Sequence, residues 1–182
     1  MGFIPILLVV LIAIGFLRKT TPELQGHWNT LIDEFEYSTK DFYALLEKEL
    51  KSHGIENITV VEREMSEGNA LSTKRLYLRV SWKNYNYDCC CAPFGNGTFF
   101  SWWMFTERKD IEGLIYKIPF IGRFLANFFF PTTYYKIDST SMFRSYAQAS
   151  VLKVIDEITK EKGIRLLNDS ERKPTMKDIF KR

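Results

Sequence analysis

A chain of 182 residues that is 46% hydrophobic and 15% aromatic has enough apolar side chain for one packed domain with appendages, which excludes a disordered tail protein. Its 25 basic and 22 acidic residues leave a net charge of +3, too little to hold nucleic acid by bulk electrostatics, so no nucleic-acid partner is expected.

The chain opens on MGFIPILLVVLIAIGFL, 17 residues without a charge, and Arg18 and Lys19 end the run. As a helix it would reach about 25 Å at ~1.5 Å per residue, near the short limit for a hydrocarbon core of roughly 30 Å. Pro5 lies in the first turn, where its missing N–H has no intrahelical partner to lose. A cleaved signal peptide fits less well, because no basic n-region precedes the run and no small-x-small cleavage site follows it. A buried core helix that is apolar all round is unusual in a domain this small. Residues 1–19 are therefore expected to form a single-pass transmembrane anchor. Positive charge on its C-terminal side places the bulk of the chain in the cytoplasm. Three consecutive cysteines suit a reducing compartment, whereas the N-x-S/T triplets at Asn57, Asn96 and Asn168 would be glycan acceptors in a secretory lumen. The partners this implies are membrane lipid and another membrane protein.

After the anchor, Thr21-Pro22-Glu23 reads as a helix start, and Leu24, Trp28, Leu31 and Phe35 recur at helical spacing. Asp33, Glu34 and Glu36 fall mostly off that stripe and read as a solvated acidic face. A second helix is capped by the Ser38/Asp41 pattern, buries Phe42, Leu45, Leu46 and Leu50, and stops at Gly54 with His53 in its last turn. From Ile58 the pattern turns to strands. Between Lys74 and Lys83, Leu76, Leu78, Val80 and Trp82 point one way and Arg75, Tyr77, Arg79, Ser81 and Lys83 the other, as in a half-buried antiparallel strand. Lys83-Asn84 is a turn, Tyr85–Ala92 a third strand and Thr98–Thr106 a fourth, joined through PFGNG with its Asn96-Gly97 hairpin signal.

The cysteines invite a catalytic reading that extended geometry weakens. On a strand Cys89 and Cys91 share a face with Tyr85 and Tyr87 while Cys90 opposes them, so three thiolates cannot converge on one metal. Asp88 beside them would raise a thiol pKa rather than lower it. Cys89, Cys90 and Cys91 therefore remain weak catalytic candidates, better explained as small buried hydrophobes, and neither metal nor cofactor is implied. In FFSWWMF, Phe99, Trp103 and Phe105 face one side and Phe100, Trp102 and Met104 the other, so both faces of this strand need cover.

The apolar insertion 111–131 is interrupted by Lys117, Pro119, Gly122 and Arg123. Phe120, Phe124 and Phe128 with Ile121 and Leu125 suit a short amphipathic helix ending before Pro131. It is expected either to cover the second face of the sheet or to dip into the bilayer that holds the anchor. Trp102, Trp103, Phe120, Phe124 and Phe128 are accordingly the expected ligand or membrane contacts. Thr132–Ile137 reads as a fifth strand. Asp138 or Ser139 then caps a long helix to Lys162, with Phe143, Ala147, Val151, Val154 and Ile158 inward and Gly163 as its stop. The tail from 164 to 182 is polar, and from Lys160 onward there are eight Lys or Arg against four acids. It is expected to be solvated, with a weak attraction to an anionic leaflet.

The whole reads as α+β: an anchor at 1–19, a cytoplasmic domain at 20–163 with an antiparallel sheet of about four or five strands and helices on one face, and a tail. The function expected is a membrane-anchored interaction or scaffold domain. The alternatives are a membrane-surface thiol-dependent enzyme and a module binding lipid or another hydrophobic ligand.

Overall fold

The computed structural model describes residues 20–66, 74–116 and 118–176. They form strands β1 (Thr20–Ile32), β2 (Thr59–Ser66), β3 (Lys74–Trp82), β4 (Tyr85–Phe94), β5 (Gly97–Lys109) and β6 (Thr175–Met176). The helices are α1 (Thr39–Ser52), α2 (Asp110–Tyr116), α3 (Gly122–Phe129) and α4 (Tyr134–Glu161). The chain is α+β, with one antiparallel sheet of six strands, more than the four or five expected because β1 and β6 join it beyond β5, in the order β2-β3-β4-β5-β1-β6. The expected anchor at 1–19 lies outside the described residues, and no helix among them is long and apolar enough to cross a membrane.

The centre of the sheet follows the sequence closely. A two-residue turn at Lys83–Asn84 sets Trp82 opposite Tyr85, and a second at Gly95–Asn96 sets Phe94 opposite Gly97. The Asn96-Gly97 signal is displaced by one position. Gly95 takes the left-handed φ of 62°, while Gly97 already belongs to β5, where an added Cβ would lie 2.5 Å from the Ile32 carbonyl oxygen.

Three expectations need correction. Residues 21–35 are mostly strand, not helix: β1 pairs with β5 from Thr20↔Lys109 to Ile32↔Thr98, with a bulge between Leu24 and Gly26. The apparent helical stripe divides, since Trp28 and Phe35 are buried while Leu24 and Leu31 are exposed. The buried positions inside β1 run Gly26, Trp28, Thr30, Ile32 at period two. Thr132–Ile137 is not a strand, because the Thr133 hydroxyl accepts from the Lys136 N–H and starts α4 at Tyr134. The tail does not float as far as Met176. Leu167 is buried, the Trp28 indole donates to the Glu171 carbonyl, Arg172 binds both Asp156 oxygens at 2.7 and 3.0 Å, and β6 pairs with β1. Two basic residues of this stretch, Arg165 and Arg172, bind acids of the tail's own turn and of α4, Glu171 and Asp156.

α1 and α4 cover one face of the sheet and touch each other and β4. Ser38 caps α1, its hydroxyl accepting from the Asp41 N–H, and Gly54 and Gly163 follow α1 and α4 in left-handed conformation. The core they enclose includes Phe42, Leu46 and Leu50 of α1; Phe143, Ala147, Val151, Val154 and Ile158 of α4; and Leu78, Val80, Tyr87, Cys89, Cys91, Phe100, Trp102 and Met104 of the sheet. Two buried tyrosines differ in kind. The Tyr43 hydroxyl donates to the Leu76 carbonyl at 2.8 Å and accepts from the Cys91 N–H at 3.3 Å, tying α1 to two strands. The Tyr87 hydroxyl is fully buried without a partner among the described residues.

Removing a hydroxyl should therefore have opposite consequences at the two sites. Tyr43→Phe strands two buried backbone groups and is expected to cost about 1–3 kcal/mol, whereas Tyr87→Phe removes an unsatisfied group and is expected to be neutral or stabilising. Urea unfolding of the full chain measures both; equal losses would contradict this difference.

Candidate functional site

The sheet has two unlike faces. On the side away from α1 and α4, successive strands bring one row together: His27 opposite Trp103, Trp103 opposite Asp88, Asp88 opposite Arg79 and Arg79 opposite Val61. The order follows from period-two alternation and the two-residue turn at 83–84, which counts Arg79 back from Trp82 and Asp88 forward from Tyr85. Arg79 grips Asp88 through Nε and an Nη, both at 2.6 Å, with side-chain exposures of 19% and 4%. The charge-assisted hydrogen bonds that it donates to Asp88 hold the guanidinium pKa above its ordinary value. His27 lies flat on Trp103, ring centroids 4.8 Å apart, and Trp103 keeps 37% of its surface exposed.

Polar bonds continue along this face toward one end of the sheet. Ser81 donates to the Asn86 side-chain oxygen at 2.6 Å, Asn86 donates to Glu107 at 2.9 Å and Thr20 donates to the other Glu107 oxygen at 2.8 Å. Toward the opposite end lie the buried Cys90 and Ser101 with the half-buried Tyr77. The result is a surface of aromatic rings and mostly satisfied polar groups, half-exposed at its rim.

The cysteines fall on the faces expected. Cys89 and Cys91 lie in the helix-covered core, Cys90 lies on the opposite face across from Ser101, and all three are free and buried. Burial pushes the Cys89 thiol well above its ordinary value, with the neighbouring Cys91, Cys90 and Asp88 adding to it. Burial and then Cys90 push Cys91 up to about 12. At Cys90 burial outweighs the opposing pull of Arg75 and Ser101, so its pKa also rises. A thiol kept protonated is a poor nucleophile. Among the described residues no group of His, Cys, Asp and Glu is arranged to hold a metal.

Of the expected contact residues, Trp102 must be withdrawn. It is fully buried, stacked on Tyr87 at 4.8 Å, because its position in β5 turns it toward α1 and α4. Trp103 is on the open face. Phe120, Phe124 and Phe128 are exposed on α3 and the turn before it. α3 packs against α2, its buried residues are Gly122 and Ala126, and its phenylalanines are exposed instead of covering the sheet. The Arg79–Asp88 pair and the His27–Trp103 stack were not singled out from sequence. The hairpin register already contained the first; the second required β1 to be recognised as a strand. No family model, curated protein or solved structure matches this chain.

Two outcomes follow. Arg79→Met leaves the Asp88 carboxylate buried and unpaired and is expected to destabilise the fold by roughly 3 kcal/mol, measurable by thermal unfolding and relieved when Asp88→Asn is added. For the thiols, Cys91 has a folded value near 12 against an ordinary 9.0, so its contribution is complete below about pH 9 and is lost as pH rises toward 12. Stability measured across that window should fall, and Cys91→Ala should flatten the slope; an unchanged slope would show that the thiol does not ionise on unfolding.

Proposed function

We propose that the chain is a membrane-anchored interaction domain that presents the open face of its sheet to a partner. The observation that carries this reading is the asymmetry of the sheet. One face is sealed by α1 and α4, while the other displays Trp103, His27 and Tyr77 around a neutralised Arg79–Asp88 pair. Half-exposed aromatics set among satisfied polar groups favour protein contact, since such rings supply contact area at small cost in lost freedom. The uncharged run before Arg18 supports attachment to a membrane.

The thiol-enzyme alternative loses support because burial holds all three thiols protonated. The surface depression along α4 is lined by residues such as Leu152, Asp156 and Leu166 and by none from α2 or α3, so it lends the lipid-binding alternative no support.

The anchor is tested by fractionating cells that express the full chain. It should stay with the membrane pellet through a high-salt wash and leave only with detergent; release by salt would defeat the anchored reading. For the face, a photoreactive side chain is placed at Trp103, with a second at Lys153 on the helix-covered side as reference. Crosslinking in the native membrane should give a discrete adduct from position 103 several-fold above position 153, and equal yields would overturn the assignment.

A further inference from the structure

We infer that α3 is a membrane-interface helix, lying in the plane of the bilayer with Phe120, Phe124 and Phe128 among the lipid acyl chains. Phe120 is 105% exposed, Phe124 71%, Phe128 70% and Phe129 61%. Phe124, Phe128 and Phe129 are in ring contact, with Phe124 stacked on Phe128 at 6.4 Å and Phe128 edge-on to Phe129 at 5.2 Å. Phe120 also holds a left-handed φ of 65°, an uncommon conformation for a bulky side chain. A patch of this kind on a soluble surface marks a contact waiting to be made.

The position of the patch identifies the occupant as lipid. Thr20 lies opposite Lys109, and its hydroxyl bonds Glu107 while the Thr21 hydroxyl bonds Asp110. Thr20, the first described residue and the third after the uncharged run in sequence, therefore lies at the end of the sheet where β5 passes into α2. The far side of the excursion returns to that same end. Lys83, in the β3–β4 turn, donates to the Tyr135 hydroxyl at the start of α4 at 3.1 Å, and the Glu107 N–H donates to the Asn84 carbonyl at 2.8 Å in that turn. Both stems of α2–α3 are thus fixed at the end of the sheet that holds Thr20, three residues after the apolar run in sequence. A second copy or a soluble partner would not require that coincidence.

The residues at the stems of the excursion have the composition of the headgroup layer. The Lys83 ammonium sits 4.2 Å from the Trp82 ring centre, Tyr134 and Tyr135 are exposed, and Lys109, Arg123 and Lys136 are exposed nearby in the chain. Lys and Arg with an apolar stem and a charged tip, next to Tyr and Trp, suit the boundary between acyl chains and phosphates. α3 has eight residues, about 12 Å at ~1.5 Å per residue, against roughly 30 Å of hydrocarbon. It is therefore placed in the plane of the interface and does not cross it.

The inference rests on the anchored reading for the side from which the bilayer approaches, and its test separates the two. Full-length chain carrying Phe124→Trp, Phe128→Trp or, as reference, Lys160→Trp at the other end of α4 is reconstituted into phosphatidylcholine–phosphatidylglycerol vesicles. Fluorescence is read as the difference from the parent chain. Brominated acyl chains should quench positions 124 and 128 several-fold more than 160, and aqueous iodide should show the reverse order. Because the substituted side chains are solvent-exposed, the unfolding midpoint should not move. If 124 and 128 respond to iodide as 160 does, the inference is overturned. Shielding from both quenchers overturns it as well and points to a protein seated on the patch. A chain that resists salt extraction while 124 and 128 remain unquenched by bromine keeps its anchor and loses the interface helix. A chain released by salt yet quenched by bromine loses the anchor and keeps the helix.

Discussion

β5 is hydrogen-bonded on both edges, to β4 and to β1, and this constraint organises the rest of the molecule. A strand with two neighbours has no free edge, so each of its large side chains must find cover above or below the sheet. Six of the seven residues from Phe99 to Phe105 are aromatic or Met, and alternation divides them evenly. Phe100, Trp102 and Met104 enter the helix-covered core, and they fix where α1 and α4 must lie. Phe99, Trp103 and Phe105 are left on the other side and give that side its character. The glycine that starts β5 belongs to the same constraint, because the Ile32 carbonyl approaches too closely for any Cβ.

Once β5 is placed, the thiols cease to be a puzzle of chemistry. β4 runs beside it in a register that sets Cys89 against Trp102 and Cys91 against Phe100. A small side chain beside a large ring lets the layer above approach closely, and the Tyr43 hydroxyl of α1 reaches through to the backbone of Leu76 and Cys91. Bulkier residues at 89 and 91 would push α1 away from the sheet and break those bonds. The polar face follows a different rule. Asp88 lies where a carboxylate loses much of its water, and the two short hydrogen bonds from Arg79 replace it.

What the sequence made legible was local or nearly so. The β3–β4 and β4–β5 hairpins, the alternation of the cysteines, the caps of α1 and the inward stripe of α4 each depend on residues within one or two turns of chain, and each is present. β1 resembles a helix in sequence because its decisive partner is remote: Thr20 meets Lys109, and nothing near Thr20 announces it. The bulge at Leu24/Gly26 shifts the alternation midway, so Leu24, Trp28 and Leu31 imitate a helical period. The tail misleads for a related reason. Its charges look solvated until Asp156 of α4 is brought opposite Arg172. Of the candidate surfaces, the apolar period of Phe120, Phe124 and Phe128 is legible in sequence but not whether it covers the sheet, while the Arg79–Asp88 row needs the register to be counted through.

The two surfaces that remain after packing are separated by direction. The open face lies along the sheet, and its central groups, Asp88, Cys90 and Ser101, are already shielded by their neighbours. The phenylalanines of α3 lie beyond one end of the strands, on an excursion whose two stems are fixed at Lys109 and at the Lys83–Tyr135 contact. A bilayer at that end would meet the strands end-on and leave the open face alongside, accessible from the aqueous phase. Membrane attachment and partner contact therefore need not compete for the same residues. β1 and β5 are paired over nearly their whole length, from that end of the sheet to the distal Gly95–Asn96 turn. The pairing that forces β5 to divide its aromatics is thus also what would hold the open face at a fixed orientation to the membrane.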